Sequence, residues 1–309
     1  VSIITLVSKD NGVGLSADMV LLEKFFTGEG HIVRRADWEA PSIEPCDLIV
    51  FLELFGAQLL PYARRSVFVP NLEWMIPTWI PQLRGITQVW AKSIAAYKVL
   101  RGLKMPAEYT GFLTRDRYDP GVEKTNTCLH LKGRSSAKNT GAVIEAWQQY
   151  GVYLPPLTII ANDPIRERLP DNVTVLGRLD DAEVTRHLNT HRIHVCPSKV
   201  EGWGHYITEA LTCRGIVVTT SESPMVEHVT PQWGFIVEPY GVQLLPGTFV
   251  NEVGISAEKL AACVMEAAIL SPERSNEMGR MARAHALHRN GEFSATVRTL
   301  LVDLLKEET

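Results

Sequence analysis

At 309 residues the chain has room for two domains of ordinary size, and no apolar run approaches the roughly 20 residues that span a bilayer. Its 45% hydrophobic and 21% charged composition is that of a globular protein, which excludes a disordered or fibrous chain. A formal net charge of −4 offers no basic field to nucleic acid, and five scattered cysteines, odd in number and without a C-x-x-C, point to a reduced, cytoplasmic-type compartment.

The apolar start Val1–Val7 is too short for a signal peptide and lacks a basic leader, so a strand is expected over Ser2–Val7. A helix over Ala17–Phe26 follows, apolar at Val20, Leu21 and Phe25. Further strands are expected at His31–Arg35, Asp47–Leu52, Ser66–Val69, Ile86–Trp90 and Tyr109–Leu113, with a helix at Ile94–Leu103. Short apolar runs between helical stretches predict a parallel sheet covered on both faces. The polar stretch Thr114–Thr127, with Pro120-Gly121 at its centre, reads as an interdomain linker. A second series then begins. Strands are expected at Cys128–Leu131, Leu157–Ala161, Val173–Leu176, Ile193–Cys196, Ile216–Thr220 and Phe235–Val237. Helices are expected at Thr140–Tyr150, Ala182–Leu188 and His205–Arg214, and the chain ends in helical segments at Ala257–Leu270, Pro272–His288 and Phe293–Lys306.

Two stretches carry chemistry. In Val195–Ala210 a strand runs through Pro197-Ser198 into a loop with Glu201, Gly202 and Gly204, and a helix beginning near His205 carries Glu209. Glycines let backbone amides approach a ligand, a helix N-terminus favours anions, and carboxylates on either side of the turn can hold sugar hydroxyls. On that helix Ile207, Ala210 and Leu211 fall on one face. His205, Glu209 and Thr212 fall on another, which is expected to point toward a cleft mouth. In Leu129–Trp147 a strand ends at Gly133, and Arg134 and Lys138 flank a polar turn before a helix. Two fixed cations there would stabilise a diphosphate leaving group. The ordinary alternatives are a solvated loop for Arg134 and Lys138, a loop carboxylate for Glu201 and a first-turn helix glutamate for Glu209.

Pro197-Ser198, Glu201-Gly202-Trp203-Gly204 and Glu209-Ala210 resemble the E-x7-E signature of retaining glycosyltransferases of group 1, also called family 4-like, which have the GT-B fold. Gly204-His205 is similar to a subset with His after the second glycine. The resemblance implies an α/β chain of two Rossmann-like, doubly wound parallel-sheet domains facing a cleft. Residues 1–121 would form the acceptor side and residues 122–309 the nucleotide-sugar side, with the last helix packing back on the first domain. It further implies that Gly133, Arg134 and Lys138 meet the diphosphate and that Glu201 contacts the donor sugar. Glu209 would accept from the ribose, and the base would lie near Gly177-Arg178. Gly12 and Gly14 would approach the phosphates, and Glu227 resembles a downstream acidic position. The expected partners are a nucleoside-diphosphate sugar and a glycan, glycolipid or other hydroxyl acceptor. The expected chemistry needs no cofactor and no metal, and contact with a membrane surface is left open.

The first half departs from the family. Where many members have a His contacting the sugar, this chain has Pro70-Asn71-Leu72-Glu73-Trp74, so Asn71, Glu73 and Trp74 are the acceptor-side candidates. Trp38 and Trp79 are read as core or as stacking surfaces. Lys92, Lys98, Arg101 and Lys104 read as a solvated helix face. Asp180 and Glu183 read as a helix capping box and not as metal ligands. The resembled domains are usually longer, so a trimmed acceptor side is expected. Two rivals stand. Gly12-Val13-Gly14-Leu15-Ser16-Ala17, with Arg34 and Arg35 after it, fits an NADP-dependent oxidoreductase, although Ser8–Asn11 separates the glycines from the strand. The missing His fits a catalytically weak sugar-nucleotide-binding protein. An epimerase of the same fold would need an acid/base pair that the sequence does not offer.

Overall fold

A computed structural model describes residues 1–9, 11–12, 14–133 and 135–306. Arg134, the first expected diphosphate cation, lies outside the described residues. The chain divides into two compact units, Val1–Leu113 with Leu245–Val250 and Arg289–Thr309, and Thr114–Leu244 with Asn251–His288.

The first unit is built from β1 (Ile3–Ser8), α1 (Gly14–Gly28), β2 (Ile32–Asp37), β3 (Cys46–Leu52), β4 (Ala63–Val69), β5 (Gln88–Ala91), α2 (Ile94–Gly102) and β6 (Ala107–Tyr109). Its strands pair in parallel in the order β2-β1-β3-β4-β5-β6. Leu48–Leu52 of β3 and Ser66–Val69 of β4 are buried on both faces, as a covered parallel sheet requires. Short 3-10 turns at Ala57–Tyr62, Pro77–Trp79 and Gln82–Gly85 stand where helices would complete a fuller doubly wound unit. Trp38 and Trp79 pack against the core. Phe293 packs edge-on against both Phe25 and Phe112.

The second unit contains β7 (Thr125–Gly133), α3 (Thr140–Tyr150), β8 (Leu157–Ala161), β9 (Val173–Leu176), α4 (Asp181–Thr190), β10 (His191–Cys196), α5 (His205–Thr212), β11 (Ile216–Thr220), α6 (Met225–His228) and β12 (Gly234–Val237). The order β12-β11-β10-β7-β8-β9 places β7, the unit's first strand in the chain, between β8 and β10. This is the 3-2-1-4-5-6 order of a dinucleotide-type sheet, whose switch point lies between β7 and β10. A two-stranded antiparallel pair, β13 (Gly241–Leu244) with β14 (Asn251–Gly254), follows, then α7 (Ala257–Ala268) and α8 (Pro272–Leu304). The two parallel six-stranded sheets show the α/β class expected from the sequence.

Local differences have identifiable causes. The last strand of the first unit is Ala107–Tyr109 and not Tyr109–Leu113. Beyond it Thr110 and Gly111 both donate backbone N–H groups to the Ala91 carbonyl, and Gly111 takes φ +66°, which no strand residue can hold. Pro272–His288 and Phe293–Lys306 are one continuous helix, α8, because nothing between them but Gly291 opposes helix and no proline intervenes. The β13–β14 pair was not expected. The stretch read as a linker is tied to the second unit: Asp119 N–H donates to Asn189 Oδ1 at 2.9 Å, and Asn189 Nδ2 donates back to the Arg117 carbonyl at 2.7 Å.

Three histidines on β7 and β10 are held neutral. Burial lowers His130 and His191 to about 4 and His194 well below the ordinary histidine value. The unfolded chain therefore takes up these protons first as pH falls from about 6.5. Stability should be complete above that pH and decline toward pH 4, by about 1.4 kcal/mol per pH unit for each histidine. Urea unfolding at pH 7.5 and pH 5 should show a loss of several kcal/mol. An unchanged midpoint would mean that these rings do not gain protons on unfolding.

Candidate functional site

β7 and β10 lie side by side, and the loops at their carboxyl ends border the switch point of the second unit. β7 ends at Gly133 with φ +56°. Ser135 Oγ then accepts from Ala137 N–H and starts the short turn Ser136–Lys138, and Asn139 adopts the left-handed conformation that redirects the chain into α3. The loop after β10 is joined to this turn by Lys199 N–H donating to the Ala137 carbonyl at 2.8 Å. His130 anchors the turn's base. Its Nδ1 lies 2.8 Å from the Val195 carbonyl, so it carries the proton, and Nε2 accepts from Thr140 Oγ1 at 2.8 Å.

This frame brings together Lys138 and Glu201. Lys138 Nζ is 2.5 Å from Glu201 Oε1, with side-chain exposures of only 17% and 13%. Ser198 Oγ donates to the same Oε1 at 2.5 Å. Since its one hydrogen is used there, the Tyr206 hydroxyl, 2.5 Å away, donates to Ser198. Burial pushes the Tyr206 phenol well above its ordinary range, so it stays a neutral donor. Lys138 Nζ also sits 3.4 Å from the centroid of the Tyr206 ring, a cation–π contact. Ser198 is fixed through its carbonyl, which accepts from Thr220 Oγ1 at 2.5 Å. Sequence reasoning missed Ser198 and Tyr206 as partners of the pair, although both lie inside the stretch it singled out.

Gly204 precedes α5 at φ +88°, and a Cβ there would lie 3.2 Å from Ile207 Cδ1. Only glycine takes this turn without strain. Glu209 is nearly buried, as are all of Tyr206–Thr212. Arg117 covers Glu209. Arg117 Nε stands 3.0 Å from Glu209 Oε1, and its Nη1 reaches Asp181 Oδ1 at 2.9 Å and Thr185 Oγ1 at 2.8 Å. Arg178 is exposed in the loop between β9 and α4, outside the Lys138–Glu201 cluster, and Gly202 and His205 are half-buried beside it in sequence. Asp180 Oδ1 accepts from Glu183 N–H at 2.8 Å while Glu183 Oε2 accepts from Asp180 N–H at 3.1 Å, the capping box read from the sequence. Glu227 is bonded to Ser223 Oγ.

In the first unit, Gly12 has φ +68° and donates its N–H to Ser16 Oγ at 2.8 Å, and Gly14 opens α1. The arginines that would serve a 2′-phosphate are engaged, Arg34 with Glu44 at 2.8 Å and Arg35 with Glu23. Trp74 is 63% exposed and Glu73 half-buried. Asn71 accepts from Lys92 Nζ at 2.9 Å and donates to Glu53 Oε2 at 2.6 Å. Lys98, Arg101 and Lys104 are exposed, but Lys92 is not part of a solvated face. It is 2% exposed and paired with Asp18 at 2.6 Å, because from the end of β5 it reaches Asp18 on α1 and Asn71 after β4.

Residues 165–246 match the family model described as glycosyl transferases group 1. Among curated protein sequences none matches the chain. Solved structures with the same architecture include sucrose-phosphate synthase from Thermosynechococcus elongatus, at 12% identity and TM-score 0.75, covering 98% of this chain and 99% of that one. A glycosyltransferase from Rickettsia africae ESF-5 matches at 14% identity and TM-score 0.76, covering 99% of each chain. Anabaena HepE in complex with UDP and glucose matches at 15% identity and TM-score 0.72, covering 98% of this chain and all, 100%, of that one. Nothing in these matches supports an oxidoreductase. The chain therefore has the GT-B fold, and its residues 165–246 are similar to the group 1 glycosyl transferases.

Proposed function

We propose that the protein is a retaining glycosyltransferase that moves a sugar from a nucleoside-diphosphate sugar to an acceptor hydroxyl, without a metal ion. The observation that carries this reading is the Lys138–Glu201 pair at the switch point of a dinucleotide-type sheet. The HepE structure, which holds UDP and glucose, favours a UDP-sugar.

In this reading Lys138 and Arg134 bind the diphosphate, assisted by the amide groups at the start of α5 beyond Gly204 and His205. Gly133, Gly202, Gly12 and Gly14 allow close approach of backbone to phosphate. Glu201 accepts from hydroxyls of the donor sugar, Glu209 from the ribose, and the loop at Arg178 meets the base. The bond from the anomeric carbon to the leaving phosphate oxygen breaks while the acceptor oxygen bonds to the same face of that carbon. The acceptor proton passes to the departing phosphate, and the nucleoside diphosphate leaves. Lys138 stabilises the charge that builds there. The acceptor is a glycan, glycolipid or other alcohol held by the first unit. Among the described residues no helix is long and apolar enough to cross a membrane. A cytoplasmic enzyme, able to touch a membrane surface, completes the proposal.

Calorimetry against UDP, GDP, TDP, ADP and NADPH, with and without magnesium, should give saturable, magnesium-independent binding of one nucleoside diphosphate. Lys138→Ala should weaken it roughly 10- to 100-fold, the loss of one charge-assisted hydrogen bond. Binding of NADPH alone would overturn the reading.

Glu201→Gln should act in two directions. Turnover should fall about 100-fold or more, since a sugar-orienting carboxylate is lost. Nucleoside diphosphate should bind as tightly or more tightly, because Lys138 no longer has a charged partner to leave. Weaker nucleotide binding with unchanged turnover would remove Glu201 from the sugar and place it with the nucleotide.

A further inference from the structure

The first unit has its own switch point, between β1 and β3, where connections leave to opposite sides of the sheet. Ligands of open α/β sheets bind at this place, beyond the carboxyl ends of the strands. Four polar residues converge there. Glu53 directly follows β3, Asn71 follows β4, Lys92 follows β5, and Asp18 lies in α1 after β1. They form one chain of contacts: Asp18 Oδ2 to Lys92 Nζ at 2.6 Å, Lys92 Nζ to Asn71 Oδ1 at 2.9 Å, and Asn71 Nδ2 to Glu53 Oε2 at 2.6 Å. The Lys92 ammonium also lies 4.4 Å from the Phe112 ring centroid.

The charges do not balance within the chain. Lys92 and Asp18 neutralise each other at 2% and 3% exposure, and Glu53 is joined to them only through the neutral Asn71 amide. Glu53 is half-buried, and its Oε1 receives no hydrogen bond from a described residue. Burial raises its carboxyl above the ordinary range, with the Asn71 hydrogen bond and Lys92 opposing and Asp18 adding to the rise. Its backbone is left-handed, φ +61°, where glycine would be the unstrained choice. The side chain is kept at a position whose backbone argues against any side chain. In the same turn Trp74 N–H donates to the Asn71 carbonyl at 3.0 Å, and the exposed Trp74 ring gives an apolar face three residues from the amide.

We propose that Glu53 is the hydroxyl-recognising carboxylate of a neutral-sugar subsite at the β1/β3 switch point of the first unit, with Asn71 as its positioning residue and the Lys92–Asp18 pair fixing Asn71. A carboxylate with one oxygen held can accept from a hydroxyl with the other, and an aromatic face suits the C–H side of a pyranose. The uncompensated negative charge repels an anionic sugar. The inference rests on the transferase reading in naming this sugar the acceptor, yet its binding is measured apart from nucleotide binding.

The test uses the full chain and ligand-observed NMR with the methyl glycosides of glucose, galactose and mannose, and with methyl glucuronide. Nucleotide binding is read separately by calorimetry with UDP. At least one neutral glycoside should bind saturably and the glucuronide at least tenfold more weakly. Glu53→Gln should weaken the neutral glycoside about tenfold and leave UDP binding within twofold. Glu53→Gly, which also relieves the left-handed backbone, should keep the wild-type circular dichroism yet lose glycoside binding. Asn71→Leu should shift the pH midpoint of glycoside binding upward, since it removes the hydrogen bond that favours the carboxylate. Asp18 and Lys92 are the charged groups that act on Glu53 and are unchanged in these variants. Failure of every neutral glycoside to bind, or binding unchanged in both Glu53 variants, would overturn the subsite. Glycoside binding without any nucleoside-diphosphate binding would keep the subsite and overturn the transferase reading.

Discussion

The Lys138–Glu201 ion pair is the constraint on which the second unit's chemistry depends. β7 and β10 are neighbours in the sheet, but their outgoing connections diverge. Only cross-loop contacts can hold the two carboxyl-end loops at one place. The ion pair, the Lys199–Ala137 backbone bond and the His130 bridge to Val195 and Thr140 do so. A carboxylate this poorly exposed is tolerated because an ammonium and a hydroxyl both reach one oxygen. On the proposed reading a diphosphate would draw the ammonium from Glu201, since it brings more charge to Lys138, and Glu201 would then have hydrogen-bonding capacity for sugar hydroxyls.

The two sheets share a topological logic and differ in what fills the switch point. In the second unit glycines with positive φ at 133 and 204 shape the loops around the Lys138–Glu201 pair. In the first unit a left-handed glutamate stands directly after β3, and the cation is withdrawn to 2% exposure against Asp18. On the proposed readings one site takes an anion and the other a neutral, hydrogen-bonding group. That division matches the two reactants of a sugar transfer better than it matches a dinucleotide, whose phosphates would need the cation that the first unit hides.

Much of the scaffold was legible because its determinants are local. α3, β8, β9 and β11 fall at the expected bounds, as short apolar runs or an amphipathic stretch between turn residues. Lys138, Glu201, Gly204 and Glu209 were legible for the same reason, since each sits in a strand–loop–helix segment that one window of sequence contains. What escaped was long-range. Lys92 meets Asp18 across 74 positions and Asn71 across 21, and nothing around Lys92 distinguishes it from the exposed Lys98 and Arg101 on α2. The β13–β14 pair escaped because all of β13 is exposed, so it has no buried face to impose an alternating pattern.

Arg117 shows how a segment read as a tether enters the chemistry. Its guanidinium spans from Glu209 on α5 to Asp181 and Thr185 on α4, while its own backbone is held by Thr212 and Asn189. Glu209 is thus oriented with Oε1 toward Arg117, which leaves Oε2 as the oxygen to meet a ribose hydroxyl on the proposed reading. A flexible glutamate would lose side-chain entropy on gripping the ribose, whereas one already fixed by a bridging arginine has lost it on folding. On the proposed reading the near-burial of Glu209 is what preorganises it. On that reading the stretch before β7 belongs with the donor half of the protein, because the glutamate it orients does.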